Sequence, residues 1–487
     1  MLSMQSANSS HILFQKEKSM KHQAMNPYLP AWEYIPDGEP YVFGDRVYVY
    51  GSHDLYNGFV FCMGDYMGWS APVDDLSDWR CEGVIYPRAA DPMNADGSMC
   101  LYAPDVTRGP DGRYYLYYVL DKVSVVSEAV CDSPAGRYQF LGYVRHRDGT
   151  RLGERPGDEP PFDPGVLTEG DRTYLYTGFC MPGDKSRHGA MATVLGPDMV
   201  TIEEEPVFVI PGCEYAKGTG FEDHAFFEAP SIRKRGDTYY LVYSSSAMHE
   251  LCYAASADPL SGFQYGGVIV SNCDLHIGSY KPKDKIMAYG GNNHGSIVEI
   301  NGNWYIFYHR HTNGTWYSRQ GCIEPISFLP DGSIPQAEIT SSGPNGGPLR
   351  GEGEYPAHIA CHLFVQDGME LYTGIPGQPR IMQEGSDWAP GDSYIGDIKD
   401  GTTIGFRYFD CRGVRGIRIK TRAYMQGVFE IRLAWDGEAL ASIPVSNSNI
   451  WVQGEAEISI PDGVQSLYLT YRGTGTLVQL KSFEFIV

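Results

Sequence analysis

Five acidic or histidine residues recur at similar places in the chain, each shortly before a tyrosine-rich strand pattern. They are Asp37, Asp105, Asp163, Glu228 and His294. Carboxylates brought into one cleft raise each other's pKa values, which is the arrangement that acid–base catalysis uses. Hydrolysis of a glycosidic bond needs one protonated carboxyl to donate to the leaving oxygen and one ionised carboxylate to activate water.

The opposing interpretation is that these residues are turn residues, because Asp before a strand often bonds to the backbone two residues on. We assign Asp163 to this class, since an Asp-Pro pair at a strand start is ordinary turn chemistry. For Asp37, Asp105 and Glu228 the recurrence favours a shared site. A third acidic group beside the acid can keep it protonated and oriented.

The elements that would position these residues form an internal repeat of a Gly-Asp-type hairpin turn followed by an aromatic strand. Equivalent tyrosines recur at intervals of 67, 59, 66 and 65 residues. Five units of this length, without helical periodicity, predict a five-bladed β-propeller, with a solenoid as the alternative. In a closed propeller, equivalent positions face one central funnel. The repeat tyrosines are Tyr48, Tyr115, Tyr174, Tyr240 and Tyr305.

The repeat stops near residue 345, where a stretch rich in Gly and Pro resembles a linker. Short alternating strand patterns follow and predict a β-sandwich (jelly-roll). We therefore expect an all-β protein with three parts. These are a poorly ordered N-terminal extension over 1–25, a propeller over 26–345 and a sandwich over 346–487.

Composition excludes several classes of partner. The net charge of −22 argues against nucleic acid and anionic membranes, and no apolar run is long enough to span a membrane. The count of eleven cysteines is odd, and they form no C-x-x-C motif, as is typical of a reducing compartment. Because residues 1–25 also lack the apolar core of a signal peptide, we expect a cytoplasmic protein.

The motifs together resemble glycoside hydrolase family 43, whose members are five-bladed propellers that hydrolyse with inversion of configuration. The GDRVYVYGS run at 44–52 follows Asp37, and its spacing favours Asp37 over Glu39 as the implied general base. The APDV motif makes Asp105 the implied carboxylate that modulates the pKa and orientation of the acid. The EAPSI motif makes Glu228 the implied general acid.

The same resemblance implies substrate-binding roles for two further residues. His294, in HGS before the fifth aromatic strand, resembles the family's axial histidine, which lies under the sugar and can help to bind a calcium ion. Arg319 matches a basic residue that contacts the sugar or the acid. The resemblance requires no cofactor, and it leaves a structural calcium ion at His294 as a possibility.

The C-terminal sandwich resembles a family 6 carbohydrate-binding module. Such modules stack aromatic rings on sugar faces, which makes Tyr424 and Trp451 candidate sugar contacts. A role in the core or at an interface explains these two residues equally well. In that case the sandwich would only pack against the propeller.

We therefore expect an inverting, exo-acting glycosidase that releases xylose or arabinofuranose from short plant-type oligosaccharides. Inversion predicts a separation of about 6.5–9.5 Å between the carboxyls of Asp37 and Glu228, which leaves room for a water molecule. A galactofuranosidase of the same fold, a glycoside phosphorylase or transglycosidase, and a non-catalytic sugar-binding propeller are the alternatives. A phosphorylase would need several basic residues around the funnel, and Arg319 is the one we identify. The sequence leaves the oligomeric state open.

Overall fold

The computed structural model describes residues 22–365, 371, 377–385 and 391–487. The predicted all-β class is confirmed: antiparallel blades precede a two-sheet sandwich. Of the predicted N-terminal extension, residues 1–21 lie outside the described residues. The part that follows contacts the sandwich, because Gln23 Nε2 donates to the Tyr355 hydroxyl at 2.8 Å. No helix among the described residues has the length and apolarity needed to cross a bilayer.

The first three blades are four-stranded antiparallel sheets in which neighbouring strands follow one another in sequence. The turn between the first two strands of blade 1 places Gly44 at φ +66°, a left-handed conformation that favours glycine. The strands are β1 (Glu39–Phe43), β2 (Arg46–Tyr50), β3 (Tyr66–Pro72), β4 (Arg80–Tyr86), β5 (Asp105–Arg108), β6 (Tyr114–Leu120), β7 (Val123–Cys131), β8 (Gln139–Tyr143), β9 (Gly165–Glu169), β10 (Arg172–Thr177), β11 (Gly189–Leu195) and β12 (Ile202–Pro211).

Blade 4 also has four strands, and blade 5 has three within the described part of the chain. A parallel bridge between Gly38 and Gly295 joins the start of blade 1 to the start of blade 5. This bridge places the first strands of the two blades side by side and closes the ring. The strands are β13 (Phe226–Arg235), β14 (Thr238–Ser245), β15 (Glu250–Ser256), β16 (Gln264–Ser271), β17 (Ile297–Ile300), β18 (Asn303–Arg310) and β19 (Gln320–Ile326).

The hydrophobic core of the propeller lies between the blades. A separate cluster of buried apolar side chains fills each of the five interfaces, including the one at which Val49 of blade 1 meets Phe307 of blade 5. Because blade faces pack against their neighbours on both sides, strands such as β6 are buried almost throughout. This packing explains why the repeat shows continuous aromatic runs rather than a strict alternation of polar and apolar residues.

The sandwich consists of two six-stranded sheets around one apolar core. In the first sheet β20, β25, β30, β27 and β28 are consecutive neighbours, with β22 also paired to β25. The strands are β20 (Leu349–Arg350), β21 (Gly353–Pro356), β22 (His362–Val365), β23 (Arg380–Gln383), β24 (Ser393–Ile398), β25 (Thr402–Cys411), β26 (Gly416–Ala423), β27 (Gly427–Arg432), β28 (Ala441–Val445), β29 (Ser448–Glu457), β30 (Gly463–Gly473) and β31 (Val478–Ile486).

The propeller and the sandwich are in direct contact. Met287 packs with Phe364 and Tyr468 of the sandwich in a small apolar cluster. The buried Arg310 guanidinium donates hydrogen bonds to the backbone carbonyls of Ala360 and Cys361. Short 3₁₀ helices lie between strands at Arg88–Ala90, Pro92–Asn94, Cys213–Tyr215, Gly343–Asn345 and Ala357–Ile359.

Candidate active site

A cavity of about 440 Å³ opens at one end of the propeller axis. Its polar wall contains three carboxyls, from Asp37, Asp163 and Glu228, together with His294 and Arg319. Of the five propeller site residues predicted from the sequence, all but Asp105 therefore meet here. Asp163, which we assigned to a turn, joins them. Aromatic rings line the remaining wall, as a sugar pocket requires. They are Phe61, Tyr102, Phe162, Phe179, Phe227, Trp316 and Tyr317.

Strand pairing shows which residues of different blades are equivalent. Glu39 of blade 1 pairs with Tyr50, and Asp105 of blade 2 pairs with Tyr117. Each of these two tyrosines lies two positions beyond the repeat tyrosine of its blade. Asp105 is therefore the counterpart of Glu39 and not of Asp37.

This register corrects the expectation that Asp105 faces the funnel beside Asp37. Asp105 is not among the described residues that line the cavity, and Ala103 is the blade 2 residue that does. The Asp105 carboxylate is fully buried, where it accepts hydrogen bonds from the Tyr41 hydroxyl at 2.8 Å and the Val166 amide at 2.7 Å. Burial, followed by the nearby Glu39 carboxyl, raises the pKa of Asp105 to about 8.

Asp163, which we assigned to a turn, lies in the cavity. Gly165 pairs with Tyr176, so Asp163 in blade 3 is equivalent to Asp37 in blade 1. The backbone of both residues is left-handed, with φ of +44° at Asp163 and +58° at Asp37. Such strained conformations concentrate at functional sites.

A signal in the sequence could have identified Asp163. Tyr174 follows Asp163 by eleven positions, and Tyr48 follows Asp37 by the same number. Tyr115, by contrast, follows Asp105 by ten. The turn of blade 2 is one residue longer than that of blade 1, so Asp105 is level with Glu39, two positions further along the strand than Asp37.

The Asp37 carboxylate is stabilised in its ionised form. Arg319 Nη1 donates to Asp37 Oδ1 at 2.9 Å, and His309 Nδ1 lies 3.3 Å from the same oxygen. Burial by itself would raise the pKa of Asp37, but Arg319, His309 and His294 outweigh burial and hold that pKa below its usual value. An ionised carboxylate of this kind can accept a proton from water.

The Glu228 carboxyl, unlike that of Asp37, is stabilised in its protonated form. It lies on β13 between two irregularities in the pairing with β14, and the following residue, Ala229, has φ +63°. These distortions turn the side chain into the cavity. Burial, followed by repulsion from Asp163, raises the pKa of Glu228 well above its usual value, so the carboxyl retains its proton.

A second carboxylate, that of Asp54, also binds the Arg319 guanidinium. Its Nε donates to Asp54 Oδ2 at 2.8 Å and its Nη2 to Asp54 Oδ1 at 3.1 Å, a bidentate pair. The guanidinium carbon also lies 4.9 Å from the centre of the Phe61 ring. Sequence reasoning missed Asp54, because its role depends on contact with a residue 265 positions away.

His294 lies between two carboxylates. Its Nε2 is 3.5 Å from Glu39 Oε1 and its Nδ1 is 3.8 Å from Asp163 Oδ2. Burial would lower the pKa of His294, but the neighbouring carboxylates of Glu39 and Asp163 raise it to about 9. Its two ring nitrogens thus face one carboxylate each, and these two carboxylates favour the protonated ring.

The surroundings of His294 do not fit the calcium ion considered from the sequence. Calcium takes about six to eight oxygen ligands. Here Glu39 Oε2 already accepts from Arg233 at 2.6 Å and from Ser231 at 2.9 Å, so Arg233 supplies the positive charge at this point. Glu39 Oε1 is a buried oxygen beside His294 that accepts no hydrogen bond from the described residues, and one such oxygen falls short of the roughly six to eight that calcium takes.

The two candidate sugar contacts of the sandwich are placed differently. Tyr424 is 60% exposed and lines a surface cavity of about 230 Å³ together with Arg422 and Asn449. Trp451 does not line that cavity within the described residues, and its ring is covered by the Arg422 guanidinium at 4.4 Å. Sugar binding by the sandwich stays a prediction from the sequence.

Comparisons with known proteins support the same conclusion as the geometry. The sequence profile described as "Glycosyl hydrolases family 43" matches residues 44–334. A protein named "Xylosidase/arabinosidase" from Thermoclostridium stercorarium is 66% identical over 470 residues, covering 95% of this chain and 99% of the relative. A protein of the same name from Bacteroides ovatus is 28% identical over 316 residues, covering 58% of this chain and 87% of the relative.

Solved structures share the fold. A glycoside hydrolase family 43 arabinoxylan arabinofuranohydrolase from Bacillus subtilis, in complex with cellotetraose, superposes with a TM-score of 0.51 at 21% identity. The superposition covers 94% of this chain and 97% of the other, which includes both the propeller and the sandwich. On the profile match and the 66% identity, the chain belongs to glycosyl hydrolase family 43.

Proposed function

We propose that this protein is an inverting, exo-acting glycosidase that releases xylose or arabinofuranose from short oligosaccharides. The observation that carries the proposal is the pair of opposite pKa shifts in one cavity. The pKa of Asp37 is held low beside Arg319, whereas that of Glu228 is raised by burial and by Asp163. Inverting glycosidases need such an ionised base and a protonated acid on opposite faces of a sugar ring.

In the proposed reaction, Glu228 donates its proton to the glycosidic oxygen as the bond from that oxygen to the anomeric carbon breaks. Asp37 takes a proton from a water molecule, whose oxygen forms a bond to the anomeric carbon from the opposite face. The products are a free sugar of inverted configuration and the shortened leaving group. Asp37 then loses its proton to solvent and Glu228 regains one.

In this proposal Asp163 is the carboxylate that modulates the pKa and orientation of the acid, a role that the family resemblance gave to Asp105. The Asp163 carboxyl contributes to the raised pKa of Glu228 and faces the imidazolium of His294. Like charge from Asp163 keeps the proton on Glu228 until a substrate arrives. His294 and Arg319 line the same cavity and can donate hydrogen bonds to sugar hydroxyls.

The choice of sugar rests on the relatives. The protein that is 66% identical is named for xylosidase and arabinosidase activity, and its similarity extends over almost the whole chain. An aromatic-lined cavity of this size suits the terminal residue of a chain. A galactofuranoside would differ from these pentosides in the shape of the pocket it needs, and it is the alternative substrate to test.

We further propose that the protein works in a reducing compartment, on oligosaccharides that have been taken up by the cell. All eleven cysteines are free, which supports the proposal. Fractionation of the source cells, followed by immunodetection, tests it. Enrichment in the culture medium or the cell envelope would contradict it.

The experiment is a panel of p-nitrophenyl β-xyloside, α-arabinofuranoside and β-galactofuranoside, assayed with wild type, Asp37→Asn and Asp105→Asn. We expect release from one or both pentosides, abolished by Asp37→Asn and retained by Asp105→Asn, which lies outside the cavity. Proton NMR of the first-formed sugar should show the inverted anomer. A folded wild type that is inactive on every substrate would favour a sugar-binding propeller, and retained configuration would exclude the proposed mechanism.

A further inference from the structure

A second cluster of polar side chains lies on blade 4, next to the cavity but outside it. His249 and Glu250 stand at the start of β15, and His276 belongs to the loop that connects β16 to β17. One ligand atom from each of these residues lies within 4.8 Å of the other two. The neighbouring Met248, with φ +64°, lines the catalytic cavity.

Glu250 is the centre of this cluster, and its two carboxylate oxygens differ. Oε1 accepts hydrogen bonds from His224 Nδ1 and from the Ser245 hydroxyl, both at 2.6 Å. The side chain is fully buried, and yet Oε2 has no hydrogen-bond partner among the described residues. A buried carboxylate oxygen without a partner is costly, and a cation would satisfy it.

The two histidines lie near this unpartnered oxygen. His276 Nε2 is 4.0 Å from Glu250 Oε2, and its side chain is 53% exposed. The His249 and His276 rings are 5.8 Å apart, centre to centre. His249 is buried and its Nδ1 lies 3.0 Å from the Ser271 hydroxyl, which leaves Nε2 as the nitrogen available to a metal.

We propose that His249, Glu250 and His276 form a binding site for a divalent transition metal of the Zn²⁺ class. Two imidazole nitrogens and one carboxylate oxygen are a ligand set that zinc prefers, with a fourth position left for water. Bonds of about 2 Å to a shared ion require ligand atoms about 3.5 Å apart. His276 Nε2 and Glu250 Oε2, 4.0 Å apart, would have to approach by about half an ångström, and the exposed His276 side chain has room to rotate.

The group behind Glu250 agrees with this assignment. His224 Nδ1 donates to Glu250 Oε1 and so orients the carboxylate, as outer partners do at metal sites.

A metal at this position would tie a loop to the blade beside it. The loop runs from the end of β16 to the start of β17, and carries His276 near one end and His294 at the other. The backbone N–H of Asn272, at the start of the loop, donates to the His249 carbonyl at 2.9 Å. The ion would therefore join the strand next to the cavity to the loop that supplies His294, a stabilising role separate from the proposed hydrolysis.

The test is metal binding by protein without a histidine tag, stripped with a chelator and dialysed. Calorimetric titration with Zn²⁺ should give one site per chain, and Co²⁺ should give the visible absorption of a site with nitrogen ligands. We expect His276→Ala to weaken Zn²⁺ binding by about tenfold or more. The matched control is His188→Ala, since His188 is 54% exposed, and its ring pairs with Glu159 and packs against Tyr215, away from the proposed site.

Thermal denaturation gives a second readout, independent of activity. Zn²⁺ should raise the melting temperature of wild type and of His188→Ala, and should leave that of His276→Ala unchanged. Because His276 is exposed, this variant should fold normally. Wild type that binds no Zn²⁺, or a His276→Ala variant that binds it as tightly as His188→Ala does, would overturn the proposal. Neither result would bear on the hydrolase assignment.

Discussion

Arg319 Nη1 lies 2.9 Å from Asp37 Oδ1, so the candidate base is paired with a guanidinium inside the cavity wall. Both side chains are almost completely buried, which strengthens the interaction relative to a surface ion pair. The same guanidinium is held by Asp54 on its other edge. Arg319 therefore fixes both the charge and the position of Asp37.

We expect Arg319→Met to move the acid limb of the pH–activity profile to higher pH. Asp37 acts while ionised, so activity falls as the pH drops through its pKa, and loss of the guanidinium raises that pKa. Breaking the buried pair should also destabilise the fold by about 3–5 kcal/mol. The checks are kcat/KM against pH and denaturant unfolding. Arg319→Lys keeps the charge and should shift the limb less; an unmoved limb in Arg319→Met would contradict the pairing.

We expect Glu228→Gln to slow hydrolysis in proportion to the basicity of the leaving group. An oligosaccharide leaving group needs the proton, and losing general-acid help should cost about 10²–10⁴ in rate. A dinitrophenyl glycoside leaves without a proton and should be much less affected. Comparing kcat for the two substrates with the same variant provides an internal control for folding. Equal losses on both would assign Glu228 another role.

The third prediction separates Asp163 from Asp105. Asp163→Asn removes a negative charge beside Glu228, lowers the pKa of that acid and should move the basic limb to lower pH by about one unit or more. Asp105 lies outside the cavity, where it contacts the Tyr41 hydroxyl and the Val166 amide, so Asp105→Asn leaves the charges around Glu228 in place. Profiles of kcat/KM should therefore shift for the first variant and stay in place for the second.

The propeller was predictable because its signal is repeated. Tyrosines such as Tyr48 and Tyr240 recur at nearly constant intervals, and each belongs to an antiparallel hairpin whose turn is visible in the sequence. Radial closure then implies that positions before the first strand of each blade converge. Asp37, Glu228 and His294 do converge, in the cavity at the axis.

Which residue supplies the third carboxyl of the cavity depends on the strand register, and the sequence motif drew attention to the wrong residue. Asp105 belongs to a conspicuous APDV sequence, whereas Asp163 is followed by an unremarkable proline. Pairing places Asp105 level with Glu39 and Asp163 level with Asp37. Glu228 reaches the cavity through local irregularities in its strand, which no periodic pattern would reveal.

The contact between propeller and sandwich could not be predicted either, because it depends on a side chain that a strand pattern does not distinguish. Arg310 ends β18, next to histidines in YHRH, where the sequence carries no signal that a charged side chain is buried. In the structure it is 4% exposed. It donates to the Ala360 carbonyl at 3.1 Å and to the Cys361 carbonyl at 2.8 Å.

We expect Arg310→Met to lower the free energy of unfolding by about 3 kcal/mol, because the buried carbonyls of Ala360 and Cys361 lose a charged donor. The measurement is urea denaturation followed by far-UV circular dichroism and by tryptophan fluorescence. Arg412→Met is the control: its side chain is 81% exposed and pairs with Asp410, so its effect should stay within about 0.5 kcal/mol. If both variants unfold at the same urea concentration, Arg310 does not hold the sandwich against the propeller. If Arg310→Met instead splits one transition into two, its hydrogen bonds are what couples the two parts into one cooperative unit.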